Sequence, residues 1–388
     1  MPSNKLPSQL QDSMRQWRHQ IHQNPETAYE EFKTASLVKQ VLESVGIEVH
    51  SGIATTGVVG ILKKGNSNRS IGLRADMDAL DILEDNDLSY CSENKGKMHA
   101  CGHDGHTAML LGAACYLAEQ VEFDGTVVFI FQPAEEVKGG AQAMIKEGLF
   151  DRFPVDQVYG MHNMPGIKEQ FFSICEGPMM AAFAYYECEI TGKGGHSSTP
   201  HLNIDPIQIG ASLIKQWQEI ISRDVPASEV AVISTTEFHG GSAINVCPEK
   251  IILRGSTRSL SNETAALIER RMSEVAEVHC SSLGATCRFD YKQAYPVLIN
   301  EPSSTKFAVE VARSVVGDQN VSEQQQAIMG SEDFAEMLLQ KPGAYIFLGN
   351  GTESRGGCMI HNPGYDFNDQ NLEVGARYWV NLASQYLS

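Results

Sequence analysis

Residues Gly125-Thr-Val-Val-Phe-Ile-Phe131, followed at once by Gln132-Pro-Ala-Glu-Glu136, form the stretch that decides the fold. The first seven are an uninterrupted run of mostly β-branched and aromatic residues, which predicts a strand buried on both of its faces. Helix-like patterns flank this run, and further strand-like runs follow at 155–161 and 343–348. Strands that alternate with helices predict an α/β domain with a mixed central sheet flanked by helices.

A second pattern begins after Gly177-Pro178. From there the predicted order is strand, helix, strand, strand, helix, strand, at 179–191, 205–222, 229–238, 244–257, 262–283 and 285–291. This βαββαβ order is the ferredoxin-like arrangement, which forms a self-contained unit. We therefore predict that residues 1–177 and 293–388 form one domain and that residues 178–292 form a second domain inserted into it.

The composition excludes several classes of function. The formal net charge of −18 argues against nucleic acid and anionic membranes as partners, because both attract a basic surface. No apolar run approaches the roughly 20 residues that span a bilayer, and the N-terminus lacks the pattern of a secretory signal. The nine cysteines are odd in number and irregularly spaced, which is typical of reduced thiols. A cytoplasmic protein is expected.

The motif Met98-His-Ala-Cys-Gly-His-Asp-Gly-His106 places a thiol, three imidazoles and a carboxylate at the start of a helix-like run. Such a density of soft and borderline ligands suggests a metal site. The candidate residues of the whole chain lie in loops or at strand ends, where functional groups gather in α/β sheets: Cys101, His103, Glu135, Glu136, His162 and His361. A thiolate could bridge two metals, and the paired glutamates could divide metal binding from proton transfer.

Six motifs, in order along nearly the whole chain, carry a family resemblance. They are Met98–His106, Phe-Gln-Pro-Ala-Glu-Glu136, Tyr-Gly-Met-His162, Gly-Gly-His-Ser-Ser198, Gly-Ser-Glu-Asp-Phe334 and His361-Asn-Pro363. In this combination the chain resembles the aminoacylase/carboxypeptidase-type dinuclear metallohydrolases. It is most similar to their amidohydrolase branch, which holds hippurate hydrolases, N-acyl-L-amino-acid amidohydrolases and plant auxin-conjugate hydrolases.

The resemblance implies two divalent metal ions per chain (zinc, manganese, cobalt or nickel) and metal-assisted hydrolysis of the amide bond of an N-acyl-L-amino acid. The implied ligands are Cys101 as the bridge, His103, Glu136, His162 and His361. Glu135 takes the place of the general base, which receives the proton of the attacking water and returns it to the leaving amine. Arg74-Ala-Asp76 departs from the His-x-Asp motif of the carboxypeptidase-like branches, and His103 replaces the missing histidine.

Other implied roles lie around this set. In the inserted domain, which the resemblance makes a lid and homodimerisation domain, His196 is expected to stabilise the oxyanion, commonly across a dimer. Asn245 and Arg258 match positions near substrate, and Arg258 suits a substrate carboxylate. Asp76 and Asp104 are expected behind the ligands, although Asp76 also suits a strand-end cap.

Three alternatives stay open at this point. One is a dipeptidase or carboxypeptidase of the same architecture. Another is a non-catalytic metal-binding or ligand-binding relative, against which the intact Glu135 and the complete ligand set argue. The third is a single structural zinc at the Cys101 motif. His99 and His106 are expected to support the site from outside the ligand set.

Overall fold

The structure is a computed structural model, and it describes residues 5–136, 138–353 and 355–388, with Arg355 described by its backbone alone. The helices of the described residues are α1 (Ser8–Gln23), α2 (Phe32–Ser44), α3 (His103–Gln120), α4 (Gly140–Lys146), α5 (Leu149–Arg152), α6 (Pro206–Arg223), α7 (Asn262–Ser282), α8 (Pro302–Val316), α9 (Phe334–Leu338) and α10 (Asn371–Tyr386). The strands are β1 (Glu48–Ile53), β2 (Gly57–Lys64), β3 (Ser70–Asp76), β4 (Gly125–Gln132), β5 (Gln157–Pro165), β6 (Phe172–Ser173), β7 (Gly177–Met180), β8 (Ala182–Thr191), β9 (Gly195–His196), β10 (Ala231–Gly240), β11 (Val246–Cys247), β12 (Lys250–Ser259), β13 (Thr286–Tyr295), β14 (Leu298–Asn300), β15 (Val321–Ser322) and β16 (Gly343–Gly351).

The chain divides into two compact units. The first comprises Met1–Gly177, Ile299–Gln326 and Asp333–Ser388, and the second comprises Pro178–Leu298 and Ala327–Glu332. The second unit therefore extends beyond the inserted range expected from the sequence, partly because β13 continues to Tyr295.

The first unit is built on an eight-stranded sheet in the order β1-β2-β4-β3-β5-β16-β6-β15. Strands β4, β3, β5 and β16 run parallel to one another, whereas β1 with β2 and β2 with β4 are antiparallel. The run that predicted a doubly buried strand is β4, in which every residue but Thr126 is buried. The predicted mixed α/β sheet is confirmed.

Helix α3 carries the histidine-rich motif into the interior of this unit. Fourteen of its residues are buried, from His103 to Leu117, so the helix has no solvent-facing stripe, as expected of a helix enclosed by its neighbours. It packs against α1, α10 and β3. The polar groups of its first turn are buried with it and must find partners inside the fold.

The second unit contains a four-stranded antiparallel sheet in the order β10-β12-β8-β13. Helices α6 and α7 join these strands in the βαββαβ order, so the predicted ferredoxin-like arrangement is confirmed. Trp217 lies fully buried in its core, and its Nε1 donates to the carbonyl of Met272 at 3.1 Å. The edge strand β10 leaves Val232 and Phe238 exposed.

Within the described residues, no helix combines the length and the apolar character needed to cross a membrane.

Candidate metal centre

The six residues predicted for the metal site all lie in the first unit and meet at the carboxyl ends of its parallel strands. Glu135 and Glu136 follow β4, and His162 lies in the last half of β5. Cys101 and His103 stand on either side of Gly102, where α3 begins. His361 follows β16 and donates its backbone N–H to the carbonyl of Ala100 at 2.7 Å.

Glycine is required between Cys101 and His103. Gly102 has φ 93°, in the left-handed region, and a Cβ at this position would lie 2.0 Å from Oδ1 of Asn163. Any other residue would therefore clash with the neighbouring strand and strain the turn. The turn directs the thiol and the imidazole on its two sides toward the same space.

Of the groups of side chains in the described residues that could hold an ion, two share Cys101. One consists of Cys101, His103 and His162, and the other of Cys101, Glu136 and His361; within each group the ligand atoms lie within 4.8 Å of one another. Atoms that bind one zinc-sized ion at about 2.0–2.3 Å are at most about 4.6 Å apart. The grouping therefore fits two ions with the Cys101 sulfur common to both.

The histidines of the first group present a ring nitrogen to the shared space. Nε2 of His162 lies 3.3 Å from Sγ of Cys101, while its Nδ1 lies 2.5 Å from the carbonyl of Asn163, to which it donates. His103 is oriented by Asp78, whose Oδ1 lies 3.3 Å from its Nδ1. Among the described residues, Nε2 of His103 is buried without a hydrogen-bond partner, so this nitrogen fits the role of a metal ligand.

The second group contains a similar contact. Nε2 of His361 lies 3.0 Å from Oε1 of Glu136, but the geometry is not that of a hydrogen bond, and Oε1 is a buried atom without such a partner in the described part of the chain. His361 has φ 61°, a conformation that non-glycine residues seldom adopt and that is concentrated at functional sites. Its side chain is 49% exposed, so this side of the group is open to solvent.

Glu135 is held by a constrained turn. Ala134 before it has φ 54°; its N–H donates to Oε1 of Glu31 at 2.9 Å and its carbonyl accepts from Gly140 at 2.9 Å. The backbone N–H of Asp333 lies 3.4 Å from Oε1 of Glu135. The Glu135 side chain also groups with His103 and Glu136, so a carboxylate beyond the ligand set adjoins both ion positions.

The surroundings shift the pKa values of three of the proposed ligands. Burial, with the charges of Glu136 and Glu135, raises the pKa of the Cys101 thiol well above its ordinary value. Burial lowers the pKa of His103, but Asp76 and Asp78 outweigh it and raise that pKa to about 10. Burial and the nearby His106 lower the pKa of His162 well below its usual value. Metal binding would displace a proton from Cys101 and from His103, since thiolate and neutral imidazole are the ligand forms, whereas His162 is already neutral.

Asp76 and His106 lie behind the ligands. Oδ1 of Asp76 lies 2.6 Å from Nδ1 of His106, and Oδ2 accepts from Nη1 of Arg74 at 2.7 Å. His106 is engaged at its other nitrogen too, where it accepts from the backbone N–H of Asn163 at 3.0 Å. Arg74 is therefore a buried partner of Asp76.

Asp104 has a different environment from the one expected. Its Oδ2 accepts from Nε of Arg18 at 2.9 Å and lies 2.8 Å from Nδ1 of His22. In the described part of the chain, its hydrogen bonds do not reach a proposed ligand. Asp104 thus fixes the start of α3 to α1. His99, also in the motif, is buried, and burial lowers its pKa to about 3.

His196, Asn245 and Arg258 lie in the second unit. His196 pairs in register with Val246 of β11. The preceding residue, Asn245, accepts a hydrogen bond at its carbonyl from the N–H of Ser197 at 3.0 Å. Nδ1 of His196 accepts from the backbone N–H of Ser198 at 3.1 Å. This contact assigns the proton to Nε2 and makes that atom a donor.

Arg258 covers the ring of Phe183, with its guanidinium carbon 3.8 Å from the ring centroid. Its Nη1 donates to the carbonyl of Thr257 at 3.0 Å. Burial lowers the pKa of Arg258, and no carboxylate of the described residues forms an ion pair with it.

Sequence reasoning missed three residues that support the site: Asp78, Asn163 and Glu31. A signal for Asp78 was present, because Arg74, Asp76 and Asp78 alternate along one extended segment and so face the same side. Asn163 adjoins His162 in the sequence, but nothing local shows that its amide also donates to the hydroxyl of Tyr365 at 2.6 Å. Glu31 is distant in sequence and carries no local signal.

Comparisons with known proteins agree with this site. The sequence pattern of peptidase family M20/M25/M40 matches residues 72–385. A hippurate hydrolase of Campylobacter jejuni is 43% identical over 378 residues, which cover 97% of each chain. Thermostable carboxypeptidase 2 of Saccharolobus solfataricus is 35% identical, covering 97% of this chain and 96% of that protein.

A solved structure extends the likeness to the whole fold. It is a dinuclear metal-binding peptidase of the M20 family from Bacillus subtilis, with a TM-score of 0.85, 30% sequence identity, and coverage of 98% of this chain and 99% of that one. The chain therefore belongs to peptidase family M20/M25/M40 and is a metal-dependent amidohydrolase.

Proposed function

We propose that the protein hydrolyses the amide bond of N-acyl-L-amino acids, releasing a carboxylic acid and a free amino acid. The observation that carries the proposal is the pair of ligand groups that share Cys101, with Glu135 beside both. The full-length likeness to a hippurate hydrolase at 43% identity supports an acylated amino acid over a larger peptide.

Two divalent ions per chain would be held by Cys101, His103, Glu136, His162 and His361. When bound, such ions polarise the scissile carbonyl and make water acidic enough to attack at neutral pH. Zinc, manganese, cobalt and nickel all suit this mixture of sulfur, nitrogen and oxygen ligands.

Glu135 performs the proton transfers in this proposal. Its carboxylate accepts a proton from the attacking water and returns it to the nitrogen of the leaving amine, which would otherwise depart as an unstable anion. The turn at Ala134 and the Asp333 N–H help to orient the carboxylate. A fixed position matters because proton transfer needs heavy atoms within about 3 Å.

In the second unit, we propose His196 as the oxyanion donor. Support comes from the Ser198 N–H, which occupies Nδ1 and leaves the proton on Nε2. We propose Arg258 for the substrate carboxylate, since its half-buried cation has no ion-pair partner within the described residues. Asn245 adjoins His196 through the β9–β11 pairing and is proposed to contact substrate.

A homodimer is proposed through β10, a sheet edge with exposed apolar residues.

The test is a substrate panel with two adjacent variants. Metal-loaded protein would receive acetyl-, benzoyl- and longer acyl-amino acids beside unacylated dipeptides, with free amino acid as the readout. Glu135→Gln should lower kcat by about 10²–10⁴-fold while metal content stays at the wild-type level. Glu136→Gln, the matched control, should lose metal.

Two outcomes would overturn parts of the proposal. If no acyl-amino acid is cleaved by protein of confirmed metal content, the function is wrong. Preferential cleavage of dipeptides would favour the peptidase alternative, which the likeness to a carboxypeptidase at 35% identity makes the strongest competitor.

A further inference from the structure

Glu31 is a fully buried carboxylate that belongs to neither ligand group and that the mechanism above does not use. It lies directly before α2. Both of its oxygens are engaged: Oε1 accepts from the backbone N–H of Ala134 at 2.9 Å, and Oε2 accepts from the hydroxyl of Thr56 at 2.5 Å. Burial of a carboxylate is costly even when it is hydrogen-bonded, so a glutamate at this position needs a reason.

The contact with Ala134 uses the one backbone donor between β4 and Glu135. Strand β4 ends at Gln132, and the next residue, Pro133, has no N–H. The Ala134 carbonyl is held as well, because it accepts from the N–H of Gly140 at 2.9 Å. Glu31 and Gly140 therefore hold the backbone on both sides of the Ala134 Cα, one residue before Glu135.

The conformation of Ala134 needs such a restraint. Its φ of 54° lies in the left-handed region, which non-glycine residues adopt only where the surrounding structure enforces it. The other partner of Glu31 follows a turn of the same kind, since Ala54 and Thr55, directly before Thr56, have φ values of 49° and 75°. Glu31 therefore ties together two turns in an unfavourable conformation, one of which carries Glu135.

We infer that Glu31 is a positioning residue for the general base: it holds the Ala134 N–H and thereby fixes the turn that directs Glu135 toward the reacting atoms. This inference rests on the proposed function, in which Glu135 transfers the protons. If the bond were lost, Ala134 would relax toward negative φ and the Glu135 carboxylate would move with it. A displacement of about 1 Å in a reacting group can cost about 10²-fold in rate.

The role requires two hydrogen bonds and not a charge. Burial raises the pKa of Glu31, although the Thr56 hydroxyl opposes this shift. A glutamine at position 31 would place its amide oxygen against the Ala134 N–H and its NH₂ group against the Thr56 hydroxyl, which can accept as well as donate. Alanine would remove both bonds. Glutamine should therefore preserve the position of Glu135, and alanine should not.

The experiment compares the kinetics of metal-loaded wild type, Glu31→Gln, Glu31→Ala and Glu301→Ala, with a benzoyl-amino acid as substrate and metal content confirmed for each. Glu301 is the control because its carboxylate also accepts backbone N–H groups, at 3.0 and 2.7 Å, but at the start of α8. Glu31→Ala should lower kcat by about 10–100-fold and change KM little. Glu31→Gln and Glu301→Ala should stay within a few-fold of wild type.

Two further readouts separate positioning from a general loss of stability. In the Glu135→Gln background, Glu31→Ala should lower kcat no further, because its effect passes through the Glu135 carboxylate. Hydrogen exchange of the Ala134 amide, measured on metal-free protein, should be faster in Glu31→Ala and should remain at the wild-type rate in Glu31→Gln and Glu301→Ala.

The possible failures are distinguishable. If Glu135→Gln loses activity as expected but Glu31→Ala keeps the wild-type kcat, the inference is wrong and the proposed function stands. An equal loss from Glu31→Ala with and without the Glu135 carboxylate would also overturn the inference. If wild type cleaves no acyl-amino acid, or Glu135→Gln remains fully active, the proposed function fails and the inference fails with it.

A second variant covers the case in which Glu31→Ala does not fold. Glu31→Asp keeps a carboxylate but shortens the side chain by one methylene, so it cannot reach Ala134 and Thr56 together. It should lower kcat and accelerate exchange of the Ala134 amide, in both cases less than the full loss of the side chain would. Wild-type values of both quantities in Glu31→Asp would contradict the role of Glu31.

Discussion

Replacing Arg18 with methionine should destabilise the first unit by about 3 kcal/mol. Arg18 is fully buried, and its guanidinium donates to Asp104 at 2.9 Å, to Asp366, and to Asp369 at 3.3 Å. Burial lowers the pKa of Arg18, but these carboxylates outweigh it and raise that pKa well above its ordinary value. Through Asp104 and Asp366, Arg18 joins the start of α3 to the segment that follows His361.

The magnitude follows from what the substitution leaves behind. Removing one partner of a buried pair costs about 3–5 kcal/mol, because the other charge stays buried. Asp104 retains His22 at 2.8 Å, and Asp369 is 24% exposed, which places the estimate near the lower limit. At about 2–4 °C for each kcal/mol in a large domain, the melting temperature should fall by roughly 6–12 °C.

The assay is calorimetric and urea unfolding of the metal-free protein, so that bound metal does not contribute. Arg15→Met is the control, since Arg15 lies on the same helix but is half exposed, with Asp12 at 3.1 Å; it should cost less than about 1 kcal/mol. The loss for Arg18→Met should persist at high salt, because buried pairs are little screened. Equal losses for the two variants would refute the reasoning.

Three further changes probe other parts of the fold by urea unfolding. Glu301 accepts hydrogen bonds from two backbone N–H groups at the start of α8. Burial raises its pKa, but these bonds and those from two serine hydroxyls outweigh burial and lower the pKa to about 2. Glu301→Gln should therefore cost about 1 kcal/mol at pH 7. Because that pKa lies below the ordinary 4.5, the contribution is complete above pH 4.5 and disappears as the pH falls through 2. Gly105→Ala would place a Cβ 2.4 Å from the ring of Phe367 and should cost about 1–3 kcal/mol. Trp217→Ala should cost the second unit about 3–5 kcal/mol and remove the indole Nε1 donor from the carbonyl of Met272.

Each of these has an outcome that contradicts it. For Glu301→Gln, it is a loss as large at pH 2 as at pH 7. For Gly105→Ala, it is stability equal to that of Gly112→Ala, where the nearest atoms belong to the flexible Met14 side chain. For Trp217→Ala, it is an unchanged transition of the second unit.

The fold was predictable where local patterns are strong. The apolar run from Gly125 to Phe131 is β4, and the βαββαβ order is the four-stranded sheet of the second unit. The six residues proposed for the metal site were accessible because each stands in a compact motif, and the structure brings them together.

The buried charges could not be predicted from periodicity. In the sequence of α1, Leu10, Met14, Trp17 and Ile21 recur at helical spacing and predict one apolar face. Of these, Met14 and Ile21 are buried, but Arg18 and His22 are buried on that helix too. Their partner Asp104 is 86 residues from Arg18 in sequence, and Asp366 is 348 residues away. An isolated helix offers no reason to bury a cation; only tertiary pairing compensates the charge.

Metal content per chain in wild type and Cys101→Ser tests the central claim most directly, because the Cys101 sulfur is the atom common to both ligand groups. After saturation with zinc and removal of excess metal, wild type should retain two ions per chain. Cys101→Ser, folded by circular dichroism, should lose both together. Retention of one or both ions by Cys101→Ser, or a single ion in wild type, would contradict a thiolate-bridged dinuclear centre.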